Sequence, residues 1–132
     1  GHRGRMAVSV TNGLRVEVVS QYIPERSRPA ESVYFYAYAV TITNDGSEPV
    51  QLVDRHWIIR DAFNHIEEVQ GPGVVGHQPR LLPGQSFQYT SFCPLTTALG
   101  FMEGSYTMVR DDGSRFKARI ARFQLVAPQS LN

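Results

Sequence analysis

The sequence predicts an all-β sandwich of two antiparallel sheets, and three observations lead to that prediction. Short segments alternate apolar and polar residues with a period of two, which is the pattern of half-buried strands. Clusters of Gly, Pro, Asn and Asp separate these segments at regular intervals, as turns do in sandwiches. No window carries the 3.6-residue apolar period of an amphipathic helix. The length of 132 residues suits a single domain.

Four strands are predicted in the first half of the chain, over residues 14–22, 33–43, 50–60 and 65–69. In the first of them, Leu14, Val16 and Val18 alternate with charged residues. The second is rich in aromatic and β-branched residues, which favour strands. It places a row of tyrosines on one face, which we interpret as core, with a ligand-stacking platform as the alternative.

Three further strands are predicted in the second half, over residues 86–93, 104–110 and 115–126. The Asp-Asp-Gly-Ser sequence that precedes the last of them is typical of a hairpin turn. On that strand Arg115, Lys117 and Arg119 share one face. Such a stripe is usually a solvated face that resists aggregation, and recruitment of an anionic partner is the alternative.

The strand over residues 50–60 is predicted to place Val53, Trp57 and Ile59 on one face and Asp54, His56 and Ile58 on the other. Asp54 and His56 could then touch a common metal ion, but spacing supplies no third and fourth ligand. We therefore predict no metal site, and Asp54 and His56 are only weak candidates.

The net charge and the cysteine content argue against a general nucleic-acid-binding protein and against a disulfide-stabilised secreted domain. The formal net charge is +1, which disfavours general nucleic-acid binding because a phosphate backbone selects strongly basic surfaces. Cys93 is the single cysteine, so no internal disulfide is possible, and we expect a buried strand residue rather than a nucleophile. No apolar run is long enough to span a bilayer. We expect a cytoplasmic protein with no membrane contact and no cofactor.

The domain is expected to span residues 7–127. Residues 1–6 are set apart as a disordered N-terminal extension of the kind that expression vectors add, and residues 128–132 as a flexible C-terminus.

Residues 70–84 hold the densest cluster of Gly and Pro, and they contain G-x-G-x-x-G at Gly71, Gly73 and Gly76. A dinucleotide fingerprint needs a helix directly after its glycines, because the helix N-terminus holds the pyrophosphate. Two prolines follow soon after Gly76 and exclude such a helix. The Rossmann interpretation is therefore rejected.

Two interpretations of this glycine loop stay open. The first is a connection between sheets, with Val74 and Val75 anchored on the core. The second is a phosphate site in which the three glycines form a backbone nest, assisted by His77 or Arg80.

Catalytic motifs are absent from the sequence. It contains no G-x-S-x-G elbow, no H-E-x-x-H and no P-loop lysine motif. Glu67 and Glu68 are adjacent on a predicted strand, so they point to opposite faces and make a poor acid–base pair. We predict that the protein is not an enzyme.

Several segments in combination resemble the ApaG family over nearly the whole chain. They are YAY at 36–38, TITNDG at 41–46, VQL at 50–52, RHWII at 55–59, EVQGPGVVGHQP at 68–79, LPG at 82–84, FQYTS at 87–91, MEGSY at 102–106 and FQL at 123–125. The resemblance implies a fibronectin type III-like or immunoglobulin-like β-sandwich in a small bacterial cytoplasmic protein. It offers no established catalytic residues, and it makes the glycine loop a proposed pyrophosphate-binding feature.

The same resemblance links the chain to cobalt tolerance and magnesium efflux. Similar domains occur in eukaryotic F-box and polymerase-interacting proteins, which suggests a protein-binding module. Our first hypothesis is therefore a non-enzymatic interaction domain with an unknown protein partner. The alternatives are a binder of phosphate or dinucleotide at the glycine loop, and a divalent-metal binder through Asp54, His56 and a turn histidine.

Overall fold

The computed structural model describes residues 6–128, and it confirms the predicted all-β sandwich. Residues 1–5 and 129–132, which belong to the expected extension and C-terminal tail, lie outside the described residues. The strands are β1 (Met6–Thr11), β2 (Leu14–Tyr22), β3 (Tyr34–Asn44), β4 (Val50–Asp61), β5 (Ile66–Pro72), β6 (Arg80–Leu81), β7 (Ser86–Leu95), β8 (Leu99–Arg110) and β9 (Arg115–Val126). Two short 3₁₀ turns, Pro24–Arg26 and Pro29–Glu31, lie between β2 and β3. In the described part of the chain, no helix has the length and apolar character needed to cross a membrane.

The strands form two antiparallel sheets. The four-stranded sheet has the order β1-β2-β3-β7, and the five-stranded sheet has the order β5-β4-β8-β9. The short β6 also pairs with β4, opposite Val50 and Gln51, whereas β5 pairs with residues 54–60 of the same strand. Since the other edge of β4 pairs with β8, β5 and β6 lie end to end along one edge. The glycine loop connects them there.

The structure adds strand residues that the sequence pattern did not reveal. β1 begins at Met6, which the sequence analysis had assigned to the extension. β8 begins at Leu99 and not at residue 104, because Gly100 pairs with Asp61 at the far end of β4. In β1 the larger apolar residues of the alternation, Met6, Val8 and Val10, are exposed, and the first residues of β8 show no clear alternation. Each segment is a strand because a neighbouring strand pairs with it.

The core lies between the sheets, and the predicted tyrosine face supplies much of it. Tyr36 and Tyr38 are buried, as expected for the inner face of β3. Trp57, only 3% exposed, sits at the centre of an aromatic cluster. Its ring centroid is 5.3 Å from that of Tyr38, 6.3 Å from Tyr106 and 6.0 Å from Phe123. Tilted and edge-on ring pairs of this kind add to the free energy gained by burial.

A β-bulge interrupts the alternation that the sequence predicts for β4. The register with β8 shifts between Leu52 and Asp54, so Val53 is the extra residue. Leu52 and Trp57 are therefore both buried, although an uninterrupted strand would place them on opposite faces. The carbonyl oxygen of Val53 accepts hydrogen bonds from the Gly73 N–H at 2.8 Å and from Nε2 of Gln78 at 2.9 Å. The bulge thus anchors both ends of the glycine loop.

One side of the sandwich is closed by hydroxyl groups. Ser9 Oγ donates a hydrogen bond to the Arg119 carbonyl, and Thr11 Oγ1 accepts one from the Arg119 N–H at 3.1 Å. Ser20 Oγ donates to the Gln124 carbonyl at 2.7 Å. These side chains from β1 and β2 satisfy main-chain groups of β9, which would otherwise form a free sheet edge.

Candidate functional site

The centre of the glycine loop is a tight two-residue hairpin. The Val74 N–H donates to the His77 carbonyl at 2.8 Å, and the His77 N–H donates back to the Val74 carbonyl at 2.9 Å. The two residues between them, Val75 and Gly76, have φ of +43° and +83°. Positive φ at both central positions is the signature of a type I′ turn. The second and third glycines of the motif are thus explained by backbone geometry, because Gly73 also has a positive φ, +65°.

The first glycine of the motif makes room for an arginine. Gly71 lies opposite Arg55 in the β4–β5 register, and a Cβ at Gly71 would lie 3.2 Å from Arg55 Nη1. The guanidinium group crosses β5 at this point. Its Nη1 donates hydrogen bonds to the carbonyl oxygens of Pro72 at 2.9 Å and Gly73 at 3.1 Å.

The other two residues predicted to assist phosphate binding, His77 and Arg80, contact other side chains. The His77 ring packs against Phe87, with the ring centroids 5.7 Å apart. Arg80 lies in β6, and its Nη2 is 2.7 Å from Asp111 Oδ2. The structure therefore brings Gly73, Gly76 and His77 into one hairpin, while Gly71 belongs to β5 and Arg80 is ion-paired.

The expectation that Val74 and Val75 both anchor the loop on the core is half correct. Val74 is fully buried, whereas Val75 is 53% exposed at the hairpin tip. Val75 occupies the first central position of the type I′ turn, which the sequence pattern does not predict because β-branched residues rarely adopt positive φ.

Replacing Val75 with asparagine is expected to stabilise the fold by about 1 kcal/mol, because a β-branched residue at positive φ stores strain and Asn-Gly is the preferred type I′ pair. Urea unfolding of V75N and the parent chain measures the difference. V75A is the matched control, since it removes branching but keeps a Cβ, and it should gain less. A V75N variant less stable than the parent would show that Val75 is not strained at this φ.

Asp54 and His56 share one face, as predicted, and it is the outer face of the five-stranded sheet. They line a shallow polar concavity of about 360 Å³ together with Gln70, Thr107 and Lys117. His56 Nε2 lies 3.8 Å from Glu68 Oε1, beyond hydrogen-bond distance. Among residues 6–128, no three His, Cys, Asp or Glu side chains are grouped as metal ligands.

The outer face of the four-stranded sheet carries an apolar patch that the sequence analysis did not identify. Strand register aligns Met6, Val19, Ala39 and Thr90 in one row and Gln21, Ala37 and Phe92 in the next. The row beyond pairs Phe35 with Pro94. Met6, Val19 and Phe92 are exposed, Phe92 by 50%. We call this surface the apolar face, defined by Met6, Val19, Phe35, Ala37, Ala39, Phe92 and Pro94.

Arg26 lies over the apolar face. Its guanidinium carbon is 4.1 Å from the Phe35 ring centroid and 5.5 Å from that of Phe92. Arg26 forms no ion pair with any carboxylate of residues 6–128. In the sequence, this face is indicated only by Phe35, which alternates with Tyr34 and Tyr36. The pattern does not show which face is exposed, because apolar residues occupy both faces of β3.

Cys93 is 4% exposed in β7, as predicted for a buried strand residue. Burial, with a smaller effect of the nearby Glu67 carboxylate, raises the pKa of the Cys93 thiol to about 12. A thiol in this state is a poor nucleophile at neutral pH.

Stability is expected to fall as pH rises above 9, partly because of Cys93. The unfolded chain releases the thiol proton near its ordinary pKa of 9.0, whereas the native state keeps it to about pH 12. The unfolded state then binds fewer protons, so the free energy of unfolding decreases with pH, by up to about 1.4 kcal/mol per pH unit. Burial also raises the pKa of Tyr36 and Tyr89, which adds to the loss above pH 10.

Urea unfolding of the parent chain and C93A between pH 8 and 10 isolates the thiol, because both proteins share every other titrating group. The stability of the parent should fall more steeply above pH 9 than that of C93A. Parallel curves would mean that the Cys93 thiol ionises equally in both states.

The comparisons with known proteins agree on one family. The ApaG domain model matches residues 24–110, which is more than half of the chain. The chain belongs to the ApaG family. Protein ApaG of Dechloromonas aromatica is 53% identical over 127 residues, which are 95% of this chain and 100% of that protein. Protein ApaG of Anaeromyxobacter dehalogenans strain 2CP-C is 54% identical, over 96% of this chain and 100% of its own.

Solved structures confirm the family fold. A crystal structure described as the ApaA protein of Bordetella pertussis is 49% identical and superimposes with a TM-score of 0.86, over 88% of this chain and 94% of the other. The C-terminal domain of wzt, at 10% identity and a TM-score of 0.53, covers 93% of this chain and 79% of its own and shares the fold alone. The resemblance stated from the sequence is therefore confirmed for both family and β-sandwich.

Proposed function

We propose that this ApaG-family chain is a non-enzymatic protein-interaction module that binds its partner with the apolar face. The observation that carries the proposal is the group of apolar side chains on the outer face of the four-stranded sheet, of which Met6, Val19 and Phe92 are exposed, with Arg26 stacked on Phe35 and Phe92. Contiguous exposed apolar patches on small soluble domains often mark protein contacts. Aromatic and arginine side chains dominate the binding free energy of such contacts.

The charge of Arg26 specifies the chemistry of the partner. Its guanidinium group has no carboxylate partner among residues 6–128, and the aromatic rings hold it in place. A partner surface that fits would place apolar side chains on the patch and an aspartate or glutamate against Arg26. We propose a protein of different sequence, and not a second copy of this chain, as that partner.

Site-specific photocrosslinking in cells tests this proposal. A photoreactive amino acid at Val19, an exposed residue of the apolar face, should capture one defined protein, which mass spectrometry identifies. The matched control position is Gln88, which lies on the same outer face but in its polar half. Crosslinks to a second copy of the chain, or equal capture from both positions, would contradict the proposal.

The purified partner then allows a direct measurement. V19K should weaken its binding by about 30-fold, because a buried unpaired charge within an apolar contact costs about 2 kcal/mol. Q88K should leave the dissociation constant unchanged. An unaltered affinity in V19K would show that the captured protein binds elsewhere.

Phosphate or dinucleotide binding at the glycine loop is the second candidate. The observation in its favour is that Val75 and Gly76 follow one another at positive φ on an exposed tip, and among residues 6–128 their N–H groups donate to no backbone carbonyl. An NMR titration with diadenosine tetraphosphate should give saturable amide shifts confined to residues 71–80. Their absence at millimolar ligand would remove this candidate.

The family link to cobalt tolerance and magnesium efflux fits an interaction module that acts through its partner. We propose this indirect role for the chain. Cobalt added to the same NMR sample is expected to broaden exposed histidines and carboxylates without selectivity. Saturable broadening centred on Asp54 and His56 would instead establish direct binding.

A further inference from the structure

The sandwich has an open side, opposite the side that the hydroxyl groups close. β7 ends the four-stranded sheet and β5 ends the five-stranded sheet. No hydrogen bond among residues 6–128 joins these two strands. A cleft of about 310 Å³ lies between them, and we call it the edge cleft. Both bordering strands therefore keep free main-chain donors and acceptors.

The lining of the edge cleft is apolar in the middle and charged at both ends. Trp57, Val69, Cys93 and Met102 form its central part. Trp57 lies opposite Val69 in the β4–β5 register, so these two side chains share the face that lines the cleft. Trp57, Cys93 and Met102 are at most 4% exposed and form the floor of the cleft, so an apolar side chain would lie over them rather than between them.

Arg55 marks one end of the edge cleft. Its Nη1 is held by the Pro72 and Gly73 carbonyls, as described above. Nε and Nη2 donate no hydrogen bond to residues 6–128, and no carboxylate of that range forms an ion pair with the guanidinium group. The group is thus fixed in position with unused donors that suit a carboxylate.

Glu67 marks the other end. It lies opposite Ile59 on β5 and faces the cleft, whereas its neighbour Glu68 points to the outer face near His56, as the sequence alternation predicted. Glu67 also has no ion-pair partner among residues 6–128. It lies four residues before Gly71, which is opposite Arg55. The two positions are therefore about 13 Å apart along the strand.

We propose that the edge cleft binds an extended segment of a partner protein, which adds a strand to the free edge of β5. Side chains at i, i+2 and i+4 of an added strand point to the same face. The charge pattern of the cleft then selects an acidic residue against Arg55, an apolar residue over Trp57 and Val69, and a basic residue against Glu67. Phe92 and Pro94 border both the edge cleft and the apolar face, whereas Val19 does not line the cleft. The inference therefore extends the proposed function and does not depend on a contact at Val19.

Short blocked peptides test the inference with purified protein. The first peptide has the pattern acidic–Thr–Leu–Thr–basic. The second has the reverse order, because the added strand could run in either direction along β5. The control peptide contains the same residues in scrambled order. Trp57 is the single tryptophan of the chain and lies in the cleft, so its fluorescence reports occupancy. One ordered peptide should shift the emission saturably and shift the β5 amides, while the scrambled peptide should do neither.

A charge exchange makes the test specific. E67K should weaken binding of the ordered peptide by about tenfold or more, because it places two cations together. Binding should return when the basic residue of the peptide is replaced by glutamate. Glu67 is exposed and unpaired among residues 6–128, so E67K is expected to fold normally. V19K, which tests the apolar face, should leave peptide binding unchanged.

Two results would overturn the inference. The first is the absence of any fluorescence or β5 amide change with both ordered peptides at millimolar concentration. The second is an affinity that E67K leaves unaltered. Neither result bears on crosslinking at Val19, so a failure of the edge cleft is distinguishable from a failure of the proposed function.

Discussion

Replacing Gly104 with alanine is expected to cost about 3 kcal/mol or more of folding free energy, or to prevent folding. Gly104 lies in β8, between Trp57 on β4 and Ile120 on β9. A Cβ there would lie 2.0 Å from the His56 carbonyl oxygen and 3.2 Å from Trp57 Cα. Both are main-chain atoms, so no side-chain rotation relieves the clash and the two central strands must separate.

The control for G104A is S105A at the next position of the same strand, whose side chain lies on the outer face beside His56. S105A should change stability by less than about 1 kcal/mol. Urea unfolding followed by circular dichroism measures both variants. A G104A protein within about 1 kcal/mol of the parent would mean that β4 and β8 are not as close as the structure places them.

Replacing Trp57 with alanine is expected to cost about 3–5 kcal/mol, since it leaves a large cavity at the centre of the core. The Trp57 ring contacts three aromatic side chains from β3, β8 and β9, namely Tyr38, Tyr106 and Phe123. It therefore links both sheets, and its loss should reduce the cooperativity of unfolding as well as the midpoint.

The matched variant is W57F, which keeps an aromatic ring and should lose clearly less stability than W57A. Because the chain has no other tryptophan, unfolding of both variants is followed by far-ultraviolet circular dichroism. Equal losses in W57A and W57F would mean that ring packing contributes little. That outcome would contradict the central role of the aromatic cluster.

Strand positions were predictable where one face is apolar and the other polar. β2 and β9 alternate clearly, and their predicted bounds, 14–22 and 115–126, match the structure. β1 was missed because the apolar residues of its alternation face solvent, and the first residues of β8 were missed because their strand state depends on pairing with β4, which is distant in sequence. The bulge at Val53 was also missed, since a register shift is a property of two strands together.

The glycine loop illustrates how far motif reasoning can go. Its prolines ruled out a nucleotide-binding helix, and the structure contains a hairpin there instead. Only the structure showed that the three glycines of the motif are needed for different reasons. Gly71 makes space for Arg55, whereas Gly73 and Gly76 supply positive φ. Val75 was predicted to be anchored on the core, but it is exposed. Its positive φ is imposed by the hairpin between β5 and β6, which the sequence pattern did not reveal.

The sequence by itself determined the fold class, the family and the buried face of most strands, because hydrophobic periodicity is a local property that burial selects residue by residue. Only the tertiary structure decided which side of the sandwich is closed and which is open. Ser9, Thr11 and Ser20 are unremarkable in the sequence, yet their hydroxyl groups cap the β9 edge. Arg55 and Glu67 become the two ends of one cleft only through the β4–β5 register, which depends on main-chain hydrogen bonds between strands.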